Sequence, residues 1–274
     1  MDLHVHTTAS DGADSPEEVV FAARKIGLSA IAITDHDTFA GVDPATAAGD
    51  TCGLLVIPGI ELSAEYQQSE VHILGYLPDM TDKEFKEKLS LFQTYRLQRI
   101  QRMVAKLQEM GATLTMERVL EIAGGGAAGR PHLAAAMVEN GMVDHIGQAF
   151  RDFIGKDCPA YIPRYKITPH EAIKLIRQAK GIPVLAHPGL SQAGPLVPEL
   201  VDEGLLGIEA FHPAHSPEMA HYYQRIGRQH NLIITGGSDY HGLERKKGHH
   251  LGMLSVPDRV LDEMVARKEE ETPR

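Results

Sequence analysis

Seven short apolar runs of strand length recur along the chain, and they constrain its fold more than any other feature. Helix signals separate many of them, since Ser15-Pro16, Thr168-Pro169 and Ser216-Pro217 each combine a capping residue with a first-turn proline. Because strands that alternate with helices form parallel βα units, the sequence predicts an α/β fold. The seven runs span residues 2–6, 30–34, 54–57, 71–77, 182–186, 207–211 and 232–235.

The middle of the chain departs from this alternation, because helical segments follow one another there without strands. Apolar residues recur at helical spacing from Phe85 to Leu107, and shorter helices are predicted over 116–123, 131–139 and 144–154. We therefore predict an all-helical insertion in an α/β host. The predicted insertion comprises residues 81–164. The predicted α/β host comprises residues 1–80, its first part, and residues 165–274, its second part.

Charge and hydropathy restrict the partners of the chain. Its 27 Lys and Arg against 37 Asp and Glu give a formal net charge of −10, which disfavours a broad duplex-binding face. The apolar runs fall far short of the roughly 18 residues that span a bilayer. The first residues lack a basic region followed by an apolar core, and Cys52 and Cys158 form no paired motif. We expect a cytoplasmic protein that binds neither membranes nor duplex nucleic acid.

The first candidate metal ligands are the two histidines of His4-Val5-His6. Side chains at positions i and i+2 of a strand point to the same face, so both imidazoles can reach one cation. Asp11 follows in a Ser10-Asp11-Gly12 turn, where its carboxylate could complete or bridge the site. Taken alone, the two histidines are also compatible with a structural or solvated pair.

A second group, Thr34-Asp35-His36-Asp37, comes directly after the second apolar run. Ionisable residues are unfavourable in an apolar core. They suit the carboxyl end of a parallel strand, because barrels of parallel strands have their active sites at that end. We predict that His36 is a metal ligand. Asp35 and Asp37 could be further ligands or partners that orient an imidazole.

The same placement recurs at the later strands. Although a histidine in an apolar strand is usually a core residue, here six histidines and three acidic residues converge on strand ends. A multinuclear site with nitrogen and oxygen ligands is the simplest interpretation, and the imidazoles favour Mn²⁺, Fe²⁺ or Zn²⁺ over Ca²⁺. The remaining members of the set are Glu61, His72, His187, Asp239 and His241.

The ordered set of H-x-H with a following acid, T-D-H, a Glu after a strand, A-H-P and S-D-x-H resembles the PHP (polymerase and histidinol phosphatase) superfamily of metal-dependent phosphoesterases. The resemblance covers about 1–78 and 165–274 and implies a distorted (β/α)7 TIM-like barrel with two or three divalent ions. Asp11 departs from members that carry His at that position. The implied ligand sets are His4, His6, Glu61 and Asp239 for one ion, Glu61, His72 and His187 for a second, and Asp11, His36 and His241 for a third.

Two further motifs resemble one branch of that superfamily, which contains nucleoside 3′,5′-bisphosphate phosphatases and 5′-to-3′ exoribonucleases. They are Gly129-Arg130-Pro131-His132 and the 209–216 segment that contains His212 and His215. Arg130 precedes a proline at a predicted helix N-terminus, where free N–H groups favour an anion, and its guanidinium adds bidentate contacts. Arg130, His215 and His212 are therefore candidate phosphate contacts, and His132 is a candidate partner that orients them.

These features together predict a hydrolase that cleaves phosphate monoesters of nucleotides by a metal-bound hydroxide. The predicted substrates are a nucleoside 3′,5′-bisphosphate, AMP or a short 5′-phosphorylated RNA. Histidinol-phosphate phosphatase and cyclic phosphodiesterase activities are alternatives, because the metal ligands alone do not choose among esters. A metal-dependent binding module without turnover is a third alternative, although a scaffold site would need only about four ligands.

Overall fold

The computed structural model describes residues 1–67, 69–124, 128–163, 165, 167–242, 248–254 and 256–271. Within them lies one sheet of seven strands whose spatial order follows the chain. All seven predicted strands are confirmed, with bounds within two residues of those predicted except at the third strand, which extends to Tyr66 instead of Ile57. The strands are β1 (Asp2–Val5), β2 (Ala30–Ile33), β3 (Leu55–Tyr66), β4 (Ser69–Tyr76), β5 (Ile182–Leu185), β6 (Gly207–Phe211) and β7 (Ile233–Gly236).

Alternating βα units would make all seven strands parallel, but the strands of this sheet are not all parallel. β1, β2 and β3 are parallel, and so are β5, β6 and β7, but β4 runs antiparallel to both of its neighbours. The reason is the short connection between Tyr66 and Ser69, because a parallel crossover needs a dozen or more residues and a hairpin does not. The expectation of parallel units throughout was therefore wrong at β4.

The segment after β7 returns to the first strand and closes the curled sheet. The backbone N–H of His6 donates to the carbonyl of Tyr240 at 2.9 Å, and Val5 and Tyr240 form an isolated parallel bridge. The predicted class, an α/β fold with a distorted TIM-like barrel, is confirmed. The carboxyl ends of β1, β2 and β5 to β7 meet at one rim, which the β3–β4 hairpin extends.

Helices cover the sheet, and three of them start at the capping signals in the sequence. Ser15 and Thr168 form reciprocal capping boxes with Glu18 and Glu171, and Ser216 accepts a hydrogen bond from the N–H of Met219. No helix among the described residues is long and apolar enough to cross a membrane. The helices around the sheet are α1 (Pro16–Lys25), α2 (Val42–Cys52), α7 (Pro169–Gln178), α8 (Pro188–Ser191), α9 (Val197–Asp202), α10 (Pro217–Gln229) and α11 (Arg259–Glu271).

The middle of the chain is helical, as predicted, and has its own apolar core. Ile100, Met103 and Leu107 of the long helix pack with Leu133 and Met137, and all five are fully buried. The division of the chain at residues 81 and 164 stays a prediction. The helices here are α3 (Lys83–Glu109), α4 (Met116–Ala123), α5 (Arg130–Glu139) and α6 (Ile146–Ala149), followed by one π-helical turn (Phe150–Ile154).

Candidate metal centre

The nine candidate ligands, which are far apart in sequence, lie together at one end of the barrel. β1 carries His4, β3 and β4 carry Glu61 and His72, and the others, including His6 directly after β1, follow the ends of β1, β2, β5 and β7. In each of four overlapping groups, the ligand atoms lie within 4.8 Å of one another. The groups are His6, Asp11, His36 and His241; His4, His6 and Asp239; His4, Glu61 and His187; and His36, Glu61 and His72.

Four side chains meet where the strand β1 faces the end of β7. The Nε2 atoms of His4 and His6 are 3.1 Å apart, as the i, i+2 spacing predicts for two imidazoles on one strand face. Glu61 Oε2 lies 3.3 and 3.2 Å from these two atoms, and Asp239 Oδ1 lies 3.6 and 3.5 Å from them. Two nitrogens and two oxygens therefore converge on one point.

The two carboxylate oxygens of Glu61 face different neighbours. Oε1 lies 2.8 Å from Nδ1 of His72 and 3.0 Å from Nε2 of His187, whereas Oε2 faces His4 and His6. The Glu61 side chain is only 1% exposed. The two oxygens of this buried carboxylate therefore face two different groups of imidazoles.

Asp11, His36 and His241 form the outer part of the centre. Asp11 Oδ1 lies 3.4 Å from Nε2 of His241 and 3.9 Å from Nδ1 of His6. The Nδ1 atom of His36 lies 3.2 Å from Glu61 Oε2, but the two atoms are outside hydrogen-bonding geometry. The aspartate at position 11 therefore reaches the same space as the imidazoles around it.

The donor set fits divalent cations. Among the described residues, buried Nδ1 atoms of His6, His36 and His187 have no hydrogen-bond partner, which is costly unless something else binds them. Imidazole nitrogens mixed with carboxylate oxygens suit Mn²⁺, Fe²⁺ and Zn²⁺. The coarse prediction of a metal-binding centre therefore agrees with the chemistry of the side chains present.

Without a cation, protons on the imidazoles balance the buried carboxylates. Burial lowers the pKa of His72 and His6, but Glu61 beside the first, and Asp239 and Glu61 beside the second, raise these values to about 10 and about 9. Burial lowers the pKa of His36 to about 3. Burial opposes ionisation of Glu61, yet the surrounding imidazoles hold its pKa well below the usual range. A cation would displace these protons.

Glu209 supports the centre, and the sequence analysis gave it no role. Its Oε1 atom lies 2.9 Å from Nδ1 of His4, and its Oε2 atom accepts the backbone N–H of His187 at 2.8 Å. His187 has a φ of 25°, in the left-handed region that non-glycine residues rarely adopt. The sequence signal that could have identified Glu209 is an acidic residue within an otherwise apolar strand. The structure buries this side chain completely.

Asp35 and Asp37 lie behind the centre. Asp35 accepts the backbone N–H and the hydroxyl of Thr7, each at 2.8 Å, and so holds the turn that leads to Asp11. Asp37 accepts the N–H of Ser63 at 3.1 Å and pairs with Arg96 of α3. Both carboxylates thus contact backbone or neighbouring side chains that position the centre.

His212 and His215 contact protein groups around the centre. Nε2 of the buried His212 lies 3.1 Å from Asp239 Oδ2. His215 donates through Nδ1 to the carbonyl of Ala210 at 3.0 Å and accepts the N–H of Gly189 at Nε2 at 3.1 Å. In this conformation both ring nitrogens of His215 are used within the protein.

A cavity of about 140 Å³ separates the centre from the helical part of the chain. Arg130 lines it, near the Phe150 ring at 5.5 Å and Glu70 at 3.7 Å. His132 accepts the N–H of Gly129 at Nδ1 and so caps the helix that begins at Arg130. Two arginines that the sequence analysis did not single out, Arg96 and Arg99 of α3, also line the cavity, opposite Asp11, His36 and His72.

Comparison with known proteins shows to which family the chain belongs. The family model of the PHP domain matches residues 2–150. The chain belongs to the PHP domain family. A solved structure from Bifidobacterium adolescentis, described as a metal-dependent phosphoesterase, has a TM-score of 0.90 at 33% identity and covers 97% of this chain and 95% of its own.

Curated relatives of this PHP-domain protein extend over most of its length. The 5′-3′ exoribonuclease Rnm of Escherichia coli is 33% identical over 247 residues, 88% of this chain and 84% of the relative. The phosphoribosyl 1,2-cyclic phosphate 1,2-diphosphodiesterase of Eggerthella lenta is 34% identical over 257 residues, 88% and 94%. The 3′,5′-nucleoside bisphosphate phosphatase of Chromobacterium violaceum is 30% identical over 276 residues, 97% of each chain. The protein is a metal-dependent phosphoesterase, a hydrolase of phosphoester bonds.

Proposed function

We propose that the protein hydrolyses phosphate monoesters of nucleotides. The observation that carries this proposal is the cavity that Arg96, Arg99 and Arg130 line together with the candidate ligands His36 and His72. Guanidinium groups bind phosphate oxygens bidentately, so a phosphoryl group can contact cations on one side and arginine on the other. The names of the E. coli and C. violaceum relatives support nucleotide or RNA substrates.

We assign two or three ions of Mn²⁺, Fe²⁺ or Zn²⁺ to the three ligand sets that the resemblance to the PHP superfamily implies. His4, His6, Glu61 and Asp239 would hold one ion, and Glu61, His72 and His187 a second. Asp11, His36 and His241 would hold a third. When bound, divalent cations activate a water molecule for attack and neutralise charge on the phosphoryl oxygens.

The side chains of this protein then have distinct tasks. Glu61 would serve as a ligand through both of its oxygens. Arg130 orients the phosphate, since it lies at the N-terminus of α5, where backbone N–H groups also favour an anion. His212 and Glu209 keep Asp239 and His4 in place through hydrogen bonds. No nucleophilic side chain is needed for this chemistry.

A substrate panel tests the proposal. The Mn²⁺-loaded protein is incubated with adenosine 3′,5′-bisphosphate, AMP, a short 5′-phosphorylated RNA, a ribose cyclic phosphate and histidinol phosphate, and products are separated by chromatography. We expect phosphate release from the nucleotide or RNA substrates. A Glu61→Gln variant purified in parallel controls for contaminating phosphatases and is expected to be inactive.

The histidinol phosphate and cyclic phosphate samples of the panel test the two alternative enzymatic activities. Preference for histidinol phosphate would reject the nucleotide proposal, and ring opening of the cyclic phosphate alone would place the protein with its E. lenta relative instead. A binding module without turnover is not favoured, because the curated relatives are named as hydrolases. The cytoplasmic location remains a prediction from the sequence.

A further inference from the structure

Two cavities of different size meet at Glu70, on the rim beside the metal centre. The smaller is the arginine-lined cavity of about 140 Å³, and the larger is a groove of about 700 Å³. Glu70 lines both of them, with one oxygen 3.3 Å from Nε2 of His72 and the other 3.7 Å from Arg130. Glu70 therefore stands between the two cavities, next to the candidate ligand His72.

The charges of the two cavities are opposite. Three arginines and the two acids Asp11 and Glu70 line the smaller cavity, whereas the described lining of the groove contains no Lys or Arg and includes the acids Glu70 and Glu199. Like charges repel, so the groove disfavours a phosphate group that the smaller cavity attracts. The groove therefore suits an uncharged part of a substrate.

The lining of the groove suits an aromatic, hydrogen-bonding group. Leu190 is 57% exposed and, with Leu196 and Pro195, forms an apolar wall. Tyr66 adds an aromatic ring, and Ser69 and Gln192 add polar groups. Gln67 and Ser191 add further polar groups to the lining. Polar side chains can form hydrogen bonds with the edge of a nucleobase, and aromatic rings stack on nucleobases of any type.

The groove begins close to the candidate ligands. α8 starts at Pro188, directly after His187, and carries Leu190 on the groove wall. The contact of Gly189 N–H with Nε2 of His215 fixes this short helix against the segment after β6. On the other side, β4 carries Glu70 two residues before His72. Both walls of the groove are thus continuous with strands or loops that carry ligands.

We propose that this groove binds the uncharged nucleoside moiety of the substrate while the phosphates occupy the centre and the arginine-lined cavity. The proposal rests on the proposed nucleotide activity, and it assigns recognition of the nucleoside to Tyr66 and Leu190. Because the groove adds contacts with the nucleoside, the protein should bind a nucleotide more tightly than it binds inorganic phosphate.

Equilibrium binding tests the groove without requiring turnover. AMP is supplied as a non-hydrolysable phosphonate analogue, because the Mn²⁺-loaded protein is expected to cleave AMP itself. The affinities of this analogue and of inorganic phosphate for the Mn²⁺-loaded protein are measured by calorimetry for the parent, Leu190→Ser and Tyr66→Ala. We expect AMP to bind about tenfold more weakly to Tyr66→Ala, and about fivefold more weakly to Leu190→Ser, since stacking on an aromatic ring contributes about 1–3 kcal/mol per base. Phosphate affinity should stay within about twofold of the parent, because inorganic phosphate has no group in the groove.

Leu55→Ser is the matched control. Leu55 is 53% exposed, similar to Leu190, but lies at the first residue of β3, far along the strand from the groove. It should leave both affinities unchanged. Unchanged AMP affinity in both groove variants, or an equal loss for phosphate, would overturn the proposal. Selective loss of AMP binding together with no hydrolysis of any nucleotide would instead retain the groove and reject the proposed activity.

Discussion

Nδ1 of His4 donates a hydrogen bond to the buried carboxylate of Glu209 at 2.9 Å. Burial raises the pKa of Glu209, but His4 beside it outweighs this effect and lowers that pKa, so the carboxylate is the acceptor. This bond places the proton of His4 on Nδ1 and leaves the Nε2 lone pair directed at the metal centre. The other oxygen of Glu209 accepts the backbone N–H of His187, so one side chain positions two candidate ligands.

Glu209→Gln should weaken metal binding by about 10–100-fold while the protein remains folded. A glutamine side chain has one carbonyl oxygen and cannot accept both hydrogen bonds at full strength. Metal affinity is measured by competition with a chelator, and folding by circular dichroism. Glu263→Gln, on the exposed face of α11, is the control. Equal metal affinity in the two variants would show that Glu209 does not position the ligands.

Arg130→Ala should raise the KM for the nucleotide substrate by about 10–100-fold, since hydrogen bonds to charged groups contribute about 1.5–3 kcal/mol. The bound metal content should not change, because Arg130 contacts Glu70 and Phe150 rather than a candidate ligand. Steady-state kinetics and elemental analysis measure the two effects. Arg102→Ala, an exposed arginine of α3, is the matched control. Loss of metal in Arg130→Ala would show that its role has been misassigned.

Asp11→Ala should remove one ion and leave the others bound. Asp11 contacts His241 and His6, whereas Glu61 and Asp239 provide the oxygens for the remaining candidate positions. Elemental analysis of the variant and of the exposed-residue control Asp50→Ala gives the stoichiometry directly. An unchanged number of ions per chain would remove Asp11 from the set of ligands.

The metal-free protein should lose stability as the pH rises from 6.5 to 9. In that range the folded state holds more protons than the unfolded chain, because the pKa values of His6 and His72 are raised to about 9 and about 10 from 6.5. Deprotonation removes the stabilisation that their charged forms receive from Glu61 and Asp239. The Mn²⁺-loaded protein should not lose stability, since cations bind deprotonated imidazoles.

Thermal unfolding at pH 6.5 and pH 9, with chelator or with Mn²⁺, measures this difference. We expect the melting temperature to fall with pH only in the presence of chelator. A parallel fall in both samples would contradict the assigned roles of His6 and His72. Their raised pKa values also predict that metal binding at pH 7 releases protons, which calorimetry in buffers of different ionisation enthalpy detects.

Local patterns predicted most of the secondary structure but not the direction of β4. Ser15, Thr168 and Ser216 fixed helix starts, because capping and first-turn proline act within a few residues. α2 was missed, since Gly41 provides no side-chain cap. The antiparallel pairing of β4 depends on the hairpin after Tyr66, which apolar run lengths did not reveal.

The sequence by itself determined the identity of the nine candidate ligands, because each lies on or just after a strand and the carboxyl ends of strands meet at one rim. The tertiary structure decided how they meet: that Glu61 turns one oxygen toward His72 and the other toward His4, and that Glu209 holds His4. It also decided that Arg96 lines the cavity beside the centre. These contacts join residues far apart in the chain, so they depend on strand register and helix packing, which no local pattern encodes.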